Sequence, residues 1–258
     1  MTTRKRGNGR NLIPAFVLRR FDPAERFGLR LTLAAIAVVL VAVPFGLLLD
    51  QVVRSGSFIK VDTSAANNLH AWVRGSDPLV AALKVVSFIG GPLWFYLIVG
   101  AASVFLFIRK RRRLLFFLLA TTLGGGIIDT IVKLAVNRPR PSLEEPVATA
   151  FGKSFPSGHA MTSTVCYGAL LLIFLPALPR RWRLPVFALT ALLVTAIGFS
   201  RLALGVHYIS DVLGGFVLGL AWLSAATSAF SIWREERGRR PVEPARGLEP
   251  EAAQDINP

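Results

Sequence analysis

Cysteine is almost missing from this chain: its 258 residues hold one, Cys166, inside an apolar stretch. That excludes an internal disulfide framework and a cysteine-rich metal site, and the residue reads as a small buried hydrophobe. Charge is scarce as well, at 17% of residues against 53% apolar and a mean hydropathy of +0.52, which excludes an ordinary soluble domain. Acidic residues are scarcer still, 15 against 30 basic, leaving a net charge of +15 that a nucleic-acid-binding protein would also explain. No fixed-period repeat or low-complexity tract is present, so a solenoid is excluded. The first apolar run extends from about Leu29 to Leu49, too late and too long for a cleaved signal peptide, and is expected to remain as an anchor.

What the chain has is long apolar runs. A helix needs roughly 20 apolar residues to cross the hydrocarbon core. Six runs qualify, near 30–49, 88–108, 114–136, 160–178, 185–204 and 210–233. The second is preceded by a part-apolar stretch, Asp77 to Gly90 with Lys84, expected to be an interfacial helix. Alternating from a cytoplasmic N-terminus puts 21 of the 30 basic residues on the inner side: in the N-terminal tail, in Arg109–Arg113, in Arg180–Arg183 and from Arg234 onward. This is the positive-inside pattern, so nucleic acid is no longer needed as a partner. The expected fold is all-α and polytopic, a bundle of six transmembrane helices. Residues 1–27 form a basic cytoplasmic tail, 28–233 the six-span domain, and 234–258 a disordered cytoplasmic tail.

Ionisable residues inside such runs need a reason, because each costs roughly 2.5–3.5 kcal/mol at a helix centre. There are four: Asp129, Lys133, Arg201 and Asp211. The topology carries three of them to the outer face, together with the blocks Lys133–Pro141, Phe155–His159 and Ser200–Asp211. Lys133, Arg140 and Arg201 then supply three cations suited to phosphoryl oxygens. Ser157 and Gly158 open a helix whose N-terminal amides and dipole favour an anion. His207 and Asp211, four apart, share a helical face, so the carboxylate can fix the ring tautomer and leave the other nitrogen nucleophilic. His159 is the candidate acid for a leaving oxygen.

These blocks resemble the three signatures of the type 2 phosphatidic acid phosphatase superfamily: Lys-x6-Arg-Pro at 133–141, Pro-Ser-Gly-His at 156–159 and Ser-Arg-x5-His-x3-Asp at 200–211. Eleven specified residues match in order and spacing. The resemblance implies a membrane phosphatase with its active site at the extracytoplasmic end. His207 would be the nucleophile that becomes phosphohistidine, Asp211 its orienting partner and His159 the general acid. Lys133, Arg140, Ser157, Gly158 and Arg201 would cradle the phosphate, without a metal or other cofactor. The implied substrate is a lipid phosphate or pyrophosphate presented by the bilayer, of the undecaprenyl pyrophosphate, phosphatidylglycerophosphate or phosphatidic acid type, in a bacterial inner membrane with both termini cytoplasmic. A phosphotransferase using the same intermediate is the alternative within this chemistry. A transporter for a phosphorylated lipid or anion is the alternative outside it, disfavoured because the charges gather at one face with no inverted repeat and no broken helix pair expected at midplane.

Other residues carry plainer expectations. Arg138 is read as an interfacial or supporting cation, Asp129 as the ion-pair partner of Lys133, and His70 as a solvated surface histidine. Gly124 to Gly126 are expected to allow close helix packing, and Trp72, Trp94, Trp182 and Trp233 to act as interfacial anchors.

Overall fold

The computed structural model describes residues 58–143 and 146–252, with scattered positions between 43 and 52. The basic tail at 1–27 and most of the first apolar run, 30–49, lie outside the described residues. Within the compact unit Pro44–Pro258 the helices are α1 (Phe58–Arg74), α2 (Asp77–Phe88), α3 (Pro92–Ile108), α4 (Arg112–Val136), α5 (Gly158–Phe174), α6 (Arg180–Ala203) and α7 (Ile209–Glu236). No strand occurs among the described residues, so the all-α expectation holds.

Among the described residues, four helices are long and apolar enough to span a bilayer: α4, α5 with the 3₁₀ turn that follows it, α6, and α7. The count is five if α2 and α3 form one bent span. That bend, 41°, falls in Ile89-Gly-Gly-Pro92, where Pro92 lacks the amide needed to continue the helical ladder. The second expected run, 88–108, is thus the helix α3, and the stretch expected as a helix before it, Asp77 to Gly90, is α2. Tyr167 pins the break, donating its hydroxyl to the Ile89 carbonyl (2.6 Å) and accepting from Trp94 Nε1 (3.0 Å).

Helix α5 is the axis of the bundle. Of its apolar window 61% is buried, against 22–28% for α4, α6 and α7, whose outer faces show Leu and Phe side chains suited to lipid. Small residues let α7 lie against it. A Cβ on Gly215 would stand 2.7 Å from the Ser157 carbonyl oxygen, and one on Gly219 3.0 Å from that of Met161. This is a Gly-x3-Gly contact between membrane helices. Gly124 similarly makes room for Trp222, whose indole donates to the Thr121 carbonyl (2.7 Å).

Two apolar clusters organise the ends. Leu106, Leu114, Phe117, Leu118, Ile173 and Phe230 fill one. At the other, Val73 of α1 and Leu83 of α2 pack on Ala203, Leu204 and Val206, so a layer of two short helices braces the turn between α6 and α7.

The segment after Arg234 departs from the expectation of disorder as far as it is described. Residues 239–252 fold back on the bundle: Leu248 is fully buried in the first cluster, and its amide donates to the Leu172 carbonyl (3.0 Å). Arg234, itself buried, donates to Glu251 (2.6 Å) and faces Glu249 (3.5 Å). The buried leucine and the contacts of Arg234 with Glu249 and Glu251 dock a chain whose composition otherwise reads as solvated.

Candidate active site

The residues named from sequence meet where α4 and α6 end and α5 and α7 begin. Each end is formed by local chemistry. Helix α4 stops at Asn137 in the left-handed conformation (φ 53°), just before Arg-Pro-Arg-Pro, which cannot extend it. Helix α6 ends in a Schellman turn, with Gly205 at φ 71°, Val206 N–H on the Arg201 carbonyl (3.2 Å) and Gly205 N–H on that of Leu202 (2.9 Å). The chain then turns directly into His207. Helix α7 is capped by its own Asp211, whose Oδ2 accepts the Tyr208 amide at 2.9 Å.

Asp211 and His207 are both buried, at 0% and 2% exposure. The Asp211 Oδ2 lies 3.3 Å from His207 Nδ1, while the other ring nitrogen, Nε2, lies 3.0 Å from a terminal nitrogen of Arg140. A guanidinium only donates, so Nε2 must carry the lone pair and Nδ1 the proton. Burial pushes the His207 pKa down to about 4, against the upward pull of the Asp211 hydrogen bond and charge. The ring is thus neutral at pH 7, with its lone-pair nitrogen beside a cation.

Arg140 is held by three carbonyl oxygens, of Gly152 (3.1 Å), Val206 (2.8 Å) and Phe151 (3.0 Å). Burial lowers its pKa against the attraction of Asp211 and Asp129, from a value so high that it stays charged. Lys133 pairs with Asp129 at 2.5 Å, the expected ion pair. Its ammonium lies against Gly158, where an added Cβ would come within 2.7 Å of Nζ. Arg201 donates to Ser87 Oγ of α2 (2.5 Å). His159, at the first turn of α5, lines a cavity of about 250 Å³ with Arg201, and lies within the electrostatic reach of Arg201, His207, Lys133 and Arg140.

Ser157 differs from its expected role. Its amide donates to the Asp211 carbonyl (2.9 Å) and its hydroxyl accepts weakly from the Ala160 amide (3.5 Å), so it ties α5 to α7 and caps the helix. The amides of Gly158 and His159 head α5. His70 differs too. It is buried, not solvated, and packs behind the turn at Gly205, where an added Cβ would stand 3.5 Å from its Nδ1.

Three supporting residues carry no signal in the sequence. Ser154 donates to Asp211 Oδ2 (2.5 Å). Ser87 holds Arg201. Asp62 of α1 accepts from Arg138 (2.9 Å) and from both the amide (3.1 Å) and the hydroxyl of Ser210. Arg138 in turn donates to Asp211 Oδ1 (2.6 Å) and lies over the Tyr208 ring, 4.2 Å from its centroid. Arg138 is therefore a supporting cation that holds the aspartate from behind, not an interfacial one. No spacing rule could have found these partners, since Asp62 and Ser210 are 148 positions apart.

Fold and site together define a multi-pass membrane protein with a buried His–Asp pair and a cluster of cations at one end of its bundle. Residues 113–235 match the family model of the PAP2 superfamily. Among curated relatives, phosphatidylglycerophosphatase B of Bacillus subtilis is 33% identical over 96 residues, covering 36% of this chain and 47% of the relative. Lipid A 1-phosphatase of Rhizobium johnstonii is 32% identical over 113 residues, 40% of this chain and 42% of that one. Decaprenylphosphoryl-5-phosphoribose phosphatase of Mycolicibacterium smegmatis is 39% identical over 88 residues, 33% of this chain and 43% of that one. The chain thus spans about half the length of the curated relatives it matches. The crystal structure of a transmembrane PAP2-type phosphatidylglycerolphosphate phosphatase from Bacillus subtilis superposes with a TM-score of 0.70 at 20% identity, covering 78% of this chain and 97% of that one, which establishes the shared fold.

Proposed function

We propose that the protein is a lipid phosphatase that hydrolyses a phosphomonoester or pyrophosphate through a phosphohistidine. The observation that carries this reading is the His207 geometry, with Nδ1 3.3 Å from Asp211 Oδ2 and Nε2, assigned the lone pair, 3.0 Å from an Arg140 nitrogen. A phosphoryl group held by Arg140, Lys133, Arg201 and the first amides of α5 places phosphorus in front of that lone pair. The Nε2–P bond forms as the P–O bond to the leaving group breaks, and His159 donates a proton to the departing oxygen. His159 then takes a proton from water, whose oxygen attacks the phosphohistidine, releasing phosphate and restoring both rings. Asp211 stabilises the ring as it gains charge, and Arg138 and Ser154 hold Asp211 in place.

The names of the relatives, which act on phosphatidylglycerophosphate, lipid A and a decaprenyl-linked phosphate, support an amphiphilic substrate delivered by the bilayer. The distribution of basic residues supports a site on the extracytoplasmic side of a bacterial inner membrane, with both termini in the cytoplasm. Detergent-purified protein in EDTA should release phosphate from short-chain lipid phosphates. Its alkaline-quenched reaction should contain phosphohistidine, and His207→Ala should lose both. Full activity in that variant would sink the mechanism.

A further inference from the structure

The cavity beside His159 is lined by Lys84 and Ser87 of α2, Gly91 and Leu93 at the start of α3, His159 and Arg201. Lys84 and Ser87 are three apart, hence neighbours on one helix face. Ser87 anchors Arg201, and Lys84 is exposed with no hydrogen bond or ion pair among the described residues. Arg201 is 8% exposed, and its Nε has no hydrogen-bond partner among the described residues. Gly91 keeps the space in front of the histidine open, since a Cβ there would stand 3.8 Å from His159 Nε2. Phe88 and Leu93, which also line the cavity, and Val85 are exposed apolar side chains, an exit toward lipid tails.

In-line displacement at phosphorus fixes what this cavity receives. The attacking Nε2 of His207 and the leaving oxygen stand on opposite sides of the phosphorus, and His159 protonates the latter. The space on the far side of His159 therefore holds the leaving group. Resting on the phosphatase reading, we propose that Lys84 is a specificity-determining residue of this leaving-group subsite. The substrate it favours is a lipid whose leaving group keeps a phosphate of its own, either a diphosphate or a phosphomonoester linked to a phosphodiester through a short polyol. In the diphosphate case the scissile P–O bond breaks as N–P forms, the bridging oxygen receives the His159 proton, and the departing lipid monophosphate carries its remaining negative charge beside Lys84. A leaving group such as diacylglycerol presents nothing for that cation to hold.

The test compares two probes on the full-length protein in detergent: farnesyl diphosphate, whose leaving group is charged, and dioctanoyl phosphatidic acid, whose leaving group is neutral. Lys84 is exposed, so its replacement leaves the core intact. Lys84→Ala should lower the ratio of kcat/KM for the diphosphate over phosphatidic acid about five- to tenfold, the size of one charge-assisted phosphate contact, and Lys84→Arg should restore most of it. A ratio unchanged within about twofold, or a wild type that prefers phosphatidic acid, overturns the inference while leaving the phosphatase reading intact. Failure of the wild type to cleave either probe overturns the phosphatase reading and the inference with it.

Discussion

Gly158→Ala adds one methyl group at the first residue of α5, where the backbone is already helical and accepts a side chain. The new carbon would stand 2.7 Å from Lys133 Nζ and 3.2 Å from Asp129 Oδ2. Ordinary contact needs about 3.5 Å or more, so the ammonium must withdraw by about 1 Å, and its partial exposure leaves room to do so. The cost in stability is small. Alanine recovers up to about 1 kcal/mol of helix propensity, which offsets the rearranged ion pair, so the melting point in detergent should change little. The cost in activity is large, because displacing a charge from a transition state by about 1 Å is worth on the order of 10²-fold. Phosphate release from a short-chain lipid phosphate, measured beside thermal unfolding, separates the two effects. The double variant Gly158→Ala, Lys133→Ala adds a further check, since it should be little worse than Lys133→Ala alone if the methyl acts through that lysine. Activity within about threefold of wild type, or losses that simply multiply, would refute the placement of Lys133 against the phosphate.

Asp62→Ala leaves Arg138 buried with one carboxylate in place of two and strips Ser210 of its acceptor. Breaking such a buried pair costs about 3–5 kcal/mol, so the melting midpoint should fall by on the order of 10 °C, and an unchanged midpoint would contradict the network. For His207, ¹⁵N-histidine NMR should show Nε2 unprotonated and Nδ1 protonated at pH 7, with ring titration near pH 4 and not near 6.5. Because the folded protein holds this proton less tightly than the unfolded chain does, the ring's contribution favours folding above about pH 6.5 and is lost as pH falls toward 4. A titration midpoint above about 6 would be incompatible with the buried, neutral ring.

The cation and histidine positions of the site were legible in the sequence because apolar runs fix topology and topology sorts helix ends to one face. Lys133, Arg140, His159, Arg201, His207 and Asp211 could be gathered from span boundaries and motif spacing. The supporting partners could not. Asp62, Ser87 and Ser154 are single residues on other segments, and nothing in their neighbourhood marks them as partners of Ser210, Arg201 and Asp211. The same limit explains His70, which reads as solvated until a turn packs against it, and the segment around Leu248, which reads as disordered until a groove receives it.

By itself, then, the sequence determined the helical membrane architecture and which ionisable groups share an end, because the cost of charge in hydrocarbon leaves few places for them. Tertiary structure alone decided which nitrogen of His207 carries the lone pair, that the Ser157 amide is taken up by Asp211, and that α2 walls a cavity beside His159. Those outcomes depend on hydrogen bonds and packing between residues distant in the chain, whose energies are set by geometry that no local pattern encodes.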